Sequence, residues 1–461
     1  MRFKKDRRWI AAIRLGRWAG SLSSRWAAAI LFLGATLSIS SCHKFLDVLP
    51  TNAVSDEQAI TDSASATNAV RGAYRALAAG GYYGATYQFD ALLSGNALNY
   101  TQSGASQLQF LYHTLTADNN DLETIWAAAY AAINDANFVI AKVPGLQSLT
   151  LSQSYRNQLL GEAYFIRALA YFDLGRAFGG VQLFLSPTSK VSDKTGKLRS
   201  SQADTYAQVL ADLNEAETLL PATTVRDRAT QKTVWALRAR LYLYQQQWAQ
   251  AGTDAGRIIA DSGNYKLVTP YSNFFTQTNT TESVFELSYS LAYPNPMYGN
   301  WKKGGNYTPN TAIVTLLQNP ATGGNRSAVL LTSGTSILGN LYPSSNGTNP
   351  VYVIRVAELW LIRAEARAQQ NDLAGALSDL NAVRARAGLA SSTAATQSDL
   401  LLAIENERRV EFALEPQRWF DLVRTGRAAA VLNVTDPNHT LFPIPAPELS
   451  ADHYLTQNPG Y

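Results

Sequence analysis

The chain has 461 residues, enough for one large domain or two to three ordinary ones, and its 46% apolar and 10% aromatic content excludes a chain dominated by disorder. The formal charge of +4 comes from the first 41 residues, which carry eight Lys/Arg against one acid, Asp6. The remaining 31 basic and 34 acidic residues exclude a general affinity for nucleic acid, and a single cysteine, Cys42, excludes an internal disulfide.

Residues 1–25 are basic with scattered Trp, and residues 26–39, WAAAILFLGATLSI, form an apolar block. That block is too short to span a bilayer comfortably but suits the h-region of a signal peptide. Ser40 and Ser41 place small residues before Cys42, a pattern that resembles the bacterial lipobox. Residues 1–41 are therefore read as a lipoprotein signal peptide and Cys42 as the acylated first residue of the mature chain, with ordinary cleavage near Ser41 as the alternative. Multiple acyl chains make attachment stable where a single chain leaves it marginal.

Residues 43–54 read as an extended tether containing Pro50. Ser55 is the expected cap of a first helix that stops at Gly80 and Gly81. Residues 80–120, rich in Gly, Ser, Asn and Tyr, read as irregular. DNND at 118–121 reads as a helix cap rather than a calcium loop, opening a helix that runs to about Lys142. The stretch 153–180 predicts a helix with a wide apolar surface, packed on two sides. A helix ended by Pro221 follows, then the antiparallel pair QKTVWALRARLYLYQQQ and WAQAGTDAGRIIADSG. Residues 263–350 change texture, with short β-like runs and long Gly/Ser/Asn/Pro-rich loops. A second helix pair returns at 355–388. Matching Ala239 with Ala364 also matches Ala251 with Ala376, a common offset of 125 residues that predicts internal repetition of a tetratricopeptide-like kind. A Ser-capped helix, a break at Pro416, a short helix and an extended Pro-rich tail complete the chain.

The sequence carries little that resembles catalytic chemistry. His43, His113, His439 and His453 lie far apart without metal-ligand spacing. There is no nucleotide-binding glycine fingerprint and no serine-nucleophile elbow. Arg418, Asp421 and Arg424 stand three apart, the spacing of structural helix ion pairs, and Glu162 with Arg167 reads as a satisfied polar pair.

CHKFLDVLP, GEAYFIRALAYFDLGRAFGGV, RATQKTVWALRARLYLYQQQWAQA, RVAELWLIRAEARAQQ, ERRVEFALEPQRWFDLVR and the terminal LFPIPAPEL…QNPGY occur in an order that resembles the SusD/RagB family of outer-membrane lipoproteins of Bacteroidetes. Pro416 and Gln182 depart from the family pattern, which often has Gly and Pro there. The resemblance covers Cys42 to Tyr461 and implies a mostly α fold: four tetratricopeptide-like helix pairs, long irregular loops on the opposite face and a few short strands. The expected parts are an N-terminal part at about 42–262, a loop-rich insertion at about 263–350 and a C-terminal part at about 351–461.

The resemblance also implies a cell-surface protein that binds glycans and delivers them to a SusC-like TonB-dependent β-barrel transporter, without breaking bonds and without cofactor or metal. The helical side is expected to supply much of the transporter-docking surface. Oligopeptide capture, as in the RagB branch, is the alternative, and a surface glycosidase is the reading from a different class. The loops that carry ligand in the family point here to Tyr82, Tyr83, Tyr87, Asn96 and Asn99, and to Tyr293, Tyr298, Trp301 and Tyr307. Trp126, Trp235, Trp248, Trp360 and Trp419 fall within helical patterns and are assigned to the core.

Overall fold

The computed structural model describes residues 60–461 with the exception of Gly304. The leader, Cys42, the tether and the expected cap at Ser55 lie outside the described residues.

Helix α1 (Ser63–Leu77) is capped by Asp62, whose carboxylate accepts from the Ser65 amide at 2.7 Å while the Ser65 hydroxyl returns to the Asp62 amide at 2.9 Å. The stretch expected to be irregular instead folds into α2 (Thr86–Ser94), strand β1 (Leu98–Tyr100) and α3 (Ala105–Tyr112). Most of its Tyr, Phe and Leu residues, Tyr87, Phe89, Leu93 and Phe110 among them, find partners in the core, so local composition misjudged it. Helix α4 (Asn120–Lys142) begins where DNND predicts, with the Asn119 side chain accepting from the Asp121 amide.

Helix α5 (Gln153–Phe178) is buried almost throughout its second half. It packs on α4 on one side and on α6 (Gln202–Leu219) on the other. Gly161 and Gly175 permit that approach to α6. An added Cβ would lie 2.7 Å from the Leu220 side chain at the first and 2.8 Å from the Tyr206 ring at the second. Helices α7 (Gln231–Tyr244) and α8 (Trp248–Ala260) form the next pair.

After the loop-rich stretch, α10 (Val356–Gln369) and α11 (Leu373–Arg386) form another pair, and α10 packs on both α8 and α12 (Gln397–Glu411). The 125-residue offset reappears as structure. Arg238 donates to Asp254 at 2.7 Å between α7 and α8, and Arg363 donates to Asp379 at 2.8 Å between α10 and α11. Trp235 and Trp360 also stand 125 apart, but the guanidiniums against their indoles come from different places: Arg257 of α8 at 5.2 Å in the first case and Arg363 of α10 itself at 5.0 Å in the second.

Three two-stranded antiparallel sheets lie among the loops: β1 with β3 (Tyr307–Pro309), β2 (Ser283–Leu287) with β6 (Val351–Arg355), and β4 (Leu330–Ser333) with β5 (Ser336–Gly339). The longest α-helix of this stretch, α9, spans Thr311–Gln318, after a single helical turn at Asn273–Thr276. Strands β2 and β6 are buried along their whole length, and β6 runs straight into α10. Short helices follow at α13 (Arg418–Arg424) and α14 (Ala428–Leu432). The tail contains α15 (Ala446–Ala451) and is not wholly extended. It is tied back to α5 where the Phe442 amide donates to the Ala177 carbonyl at 2.7 Å.

Several polar pairs differ from the spacing-based reading. Glu162 is buried against Arg228 at 2.6 Å, and Arg167 forks onto Asp212 at 2.7 and 2.8 Å. Asp421 takes Arg424 and also Arg408 at 2.7 Å, whereas Arg418 donates only to the Gly95 carbonyl at 3.1 Å. Partners lie across helices because each buried charge must be matched by whichever element covers it. Trp126 and Trp419 are core residues, but Trp235, Trp248 and Trp360 are only half-buried at its margin.

Candidate functional site

Two aromatic- and amide-rich segments distant in sequence meet at the β1–β3 ribbon. Leu98 lies opposite Pro309, Asn99 opposite Thr308 and Tyr100 opposite Tyr307. The Asn310 amide donates to the Asn96 carbonyl at 2.7 Å and to its side-chain oxygen at 2.9 Å. Asn96 itself turns the chain at φ 49°, a conformation that asparagine tolerates. Alternation along β1 sends Leu98 inward and leaves Asn99 exposed. The outward surface is therefore amide- and hydroxyl-bearing, with Asn96, Asn99 and Thr101 in solvent.

Beneath the ribbon lies an aromatic layer. The Tyr307 ring stacks on Phe89 at 4.0 Å and meets Tyr100 at 5.2 Å, and Trp301 lies 5.2 Å from Phe89. Trp301 is fully buried and Tyr307 nearly so. Asp90 shares this layer, and neither of its carboxyl oxygens has a partner among the described residues. Burial, reinforced by the charge of Asp121, pushes its pKa well above the usual carboxylate range. Its carboxyl is closed to solvent.

Accessible aromatic surface comes from the loop before β3. Tyr293 is 59% exposed and its backbone exchanges two hydrogen bonds with Ser290. The Arg75 guanidinium, from the last turn of α1, lies 4.4 Å from its ring centroid and covers one face. Tyr298 is half-buried, with the Lys302 ammonium 5.4 Å from its ring, and Lys302 also donates to the Asn340 side chain at 2.8 Å.

The structure corrects five of the candidates. Tyr82, Tyr83 and Tyr87 are buried, and their hydroxyls donate to one carboxylate, Asp173, at 2.5, 2.7 and 3.0 Å. Arg176 completes the cluster at 2.7 Å from Asp173. Burial and the Asp173 charge hold the phenols of Tyr82 and Tyr83 well above the usual tyrosine range. These rings fasten α2 and its preceding turn to α5 and present no face to a ligand, and Trp301 and Tyr307 are likewise core. Tyr83→Phe removes one hydrogen bond to a charged acceptor. The expected loss is about 1.5–3 kcal/mol of stability in urea denaturation, with ligand retention unchanged. A folded variant that no longer retained ligand would return Tyr83 to the binding surface.

Asn96, Asn99, Tyr293 and Tyr298 do reach the surface, the first two together on the ribbon and the last two on the loop leading to it. Sequence reasoning missed Arg75 and Tyr100. Tyr100 closes the same aromatic stretch as Asn99, so composition carried its signal, whereas nothing in an amphipathic helix end marks Arg75.

Residues 179–439 match the family model described as the SusD family, and residues 44–243 match one described as starch-binding associating with outer membrane. The SusD-like protein P38 of Formosa agariphila is 24% identical over 493 residues, an alignment covering 92% of this chain and 96% of that protein. A SusD-like protein of Bacteroides ovatus is 25% identical over 378 residues, covering 68% of this chain and 67% of that one. Among solved structures, a laminarin binding SusD-like protein superposes with a TM-score of 0.75 at 24% identity, covering 87% of this chain and 100% of that one. A SusD superfamily protein from Bacteroides thetaiotaomicron gives 0.76 at 23% identity with the same coverage. These likenesses establish a shared helical fold.

Proposed function

Because the chain belongs to the SusD family, we propose that it is a cell-surface lipoprotein that binds oligo- or polysaccharide and delivers it, uncleaved, to a SusC-like TonB-dependent outer-membrane transporter. Membrane attachment in this reading comes from acylation of Cys42. Among the described residues no helix is long and apolar enough to cross a membrane.

The observation that carries the proposal is the exposed ring of Tyr293, backed by Arg75, on the segment that leads to the Asn96 and Asn99 amides. A sugar ring offers apolar C–H faces edged by hydroxyls. An exposed tyrosine ring takes the former, and side-chain amides and a guanidinium take the latter. Asp90, sealed below the ribbon, is not positioned to protonate a glycosidic oxygen, which supports binding over hydrolysis.

Tyr293→Ala removes an exposed ring and is expected to leave stability within about 0.5 kcal/mol. It should weaken polysaccharide retention about tenfold, corresponding to about 1.4 kcal/mol. Affinity electrophoresis across a glycan panel that includes laminarin, run beside a peptide library, provides the measurement. Undiminished retention would remove Tyr293 from the site. Binding to peptides alone would replace the sugar reading with peptide uptake.

A further inference from the structure

On the helical side, a cavity of about 600 Å³ opens where the end of α7, the start of α8 and the end of α10 meet α12 and α13. None of these elements carries the loop residues considered above. Five arginines and three carboxylates line it. Three of the arginines are committed: Arg424 to Glu365 at 2.6 Å, Arg427 to Glu405 at 3.0 Å and Arg408 through Nε to Asp421 at 2.7 Å. Arg409 and Arg418 have no carboxylate partner among the described residues, and the Arg418 guanidinium is held only by its Nε bond to the Gly95 carbonyl.

The polar atoms left over belong to the same wall. Arg408 is only 4% exposed, yet its Nη1 has no partner, and the Nε of Arg409 is likewise buried and unpaired among the described residues. Burial first and then the adjacent Arg409 lower the pKa of Arg418 to about 10, against the opposing pull of Glu405 and Asp421. Arg409 and Arg418 are half-buried at the cavity wall with no carboxylate opposite them, so an anion entering from outside gains charge-assisted hydrogen bonds there.

The remaining wall identifies the anion's carrier. Leu243, Leu401, Leu402 and Leu422 line the cavity with Trp248, and Leu402 stands 49% exposed. Gln246 and Gln369 also line it, but four leucines outnumber the single aromatic ring, and aliphatic walls around guanidinium forks suit a carboxylate flanked by aliphatic side chains. The volume lies in the range of sites that enclose more than a lone ion. We propose that this cavity is a docking socket for an acidic, aliphatic peptide segment of a partner protein, its carboxylates received by Arg409 and Arg418, the two arginines of the wall without a carboxylate partner among the described residues.

The test uses the full mature chain and a fluorescein-labelled peptide of alternating leucine and glutamate, followed by fluorescence anisotropy. Saturable binding is expected, weakening as salt is raised. A version of the peptide with glutamine for glutamate should not bind. The double variant Arg409→Gln/Arg418→Gln should lose at least tenfold in affinity. If its circular dichroism shows misfolding, Leu402→Glu decides instead, since it adds a repelling charge at an exposed position. Absence of saturable binding, or undiminished affinity in the folded variants, would overturn the proposal. So would binding of oligogalacturonate in place of the peptide, which would make this an acidic-sugar site.

Discussion

Arg355→Ala is expected to destabilise the protein by about 3–5 kcal/mol at neutral pH, the cost of leaving buried carboxylates without their cation. Arg355 ends β6 and is 1% exposed. It donates to Glu282 at 2.6 Å, to Glu411 at 2.9 Å and to Glu415 at 2.6 Å. Arg386 bridges Glu282 and Glu411 as well, and Arg326 joins Glu411 to Glu407. Three guanidiniums and four carboxylates thus pin the β2–β6 sheet to the ends of α11 and α12. Burial alone would raise the pKa of Glu411, but Arg386, Arg326 and Arg355 outweigh it and hold the carboxyl at about 2. A carboxylate depressed in this way contributes stability that is fully present above its unfolded value, about 4.5, and is lost as the pH falls through about 2. Without Arg355 the orphaned carboxylates take up protons more readily, so the penalty of the variant should shrink as the pH is lowered toward about 4. Urea denaturation of both proteins at neutral and acidic pH measures this. A loss below about 1 kcal/mol at neutral pH would show that the cluster is not held as a unit.

Trp301→Ala should cost about 3–5 kcal/mol through the cavity it leaves. The indole is fully buried beside Phe89 and beneath β5, so close to Gly339 that a methyl group there would strike the ring. Because the ribbon rests on this layer, glycan retention should fall together with stability. Trp301→Phe separates packing from contact: it keeps a ring against Phe89 and should retain polysaccharide as the native chain does. A folded Trp301→Phe protein that failed to retain glycan would place the indole against the ligand.

The helical frame was legible because its signals are local. Caps, apolar periodicity and the offset between Ala239 and Ala364 need only neighbouring residues, and the matched Arg–Asp pairs at 238–254 and 363–379 follow from the same repeat. The loop face was legible as a region but not residue by residue. Tyr82, Tyr83 and Tyr87 follow a Gly pair and resemble a solvent-facing cluster, yet their partner Asp173 lies about ninety residues on, at a separation of 91 for Tyr82. The available hint was in α5 itself, where Asp173 and Arg176 interrupt an apolar surface and therefore demanded buried partners. Trp301 and Tyr293 stand eight residues apart in similar loop sequence. Only the placement of β5 over the first and of Arg75 behind the second tells them apart.

The β1–β3 ribbon also fixes an order of events. Thr101 and Asn306, bonded at its end, are 205 residues apart in the chain. Closing a loop of that length is entropically costly until the intervening helices have folded on their own short-range contacts. The ribbon is therefore expected to be among the last parts to assemble, and a break anywhere between 101 and 306 would sever its two strands while leaving most helices their neighbours. If the ribbon carries ligand as proposed, binding is conditional on completion: a partly built molecule has the scaffold but not this surface.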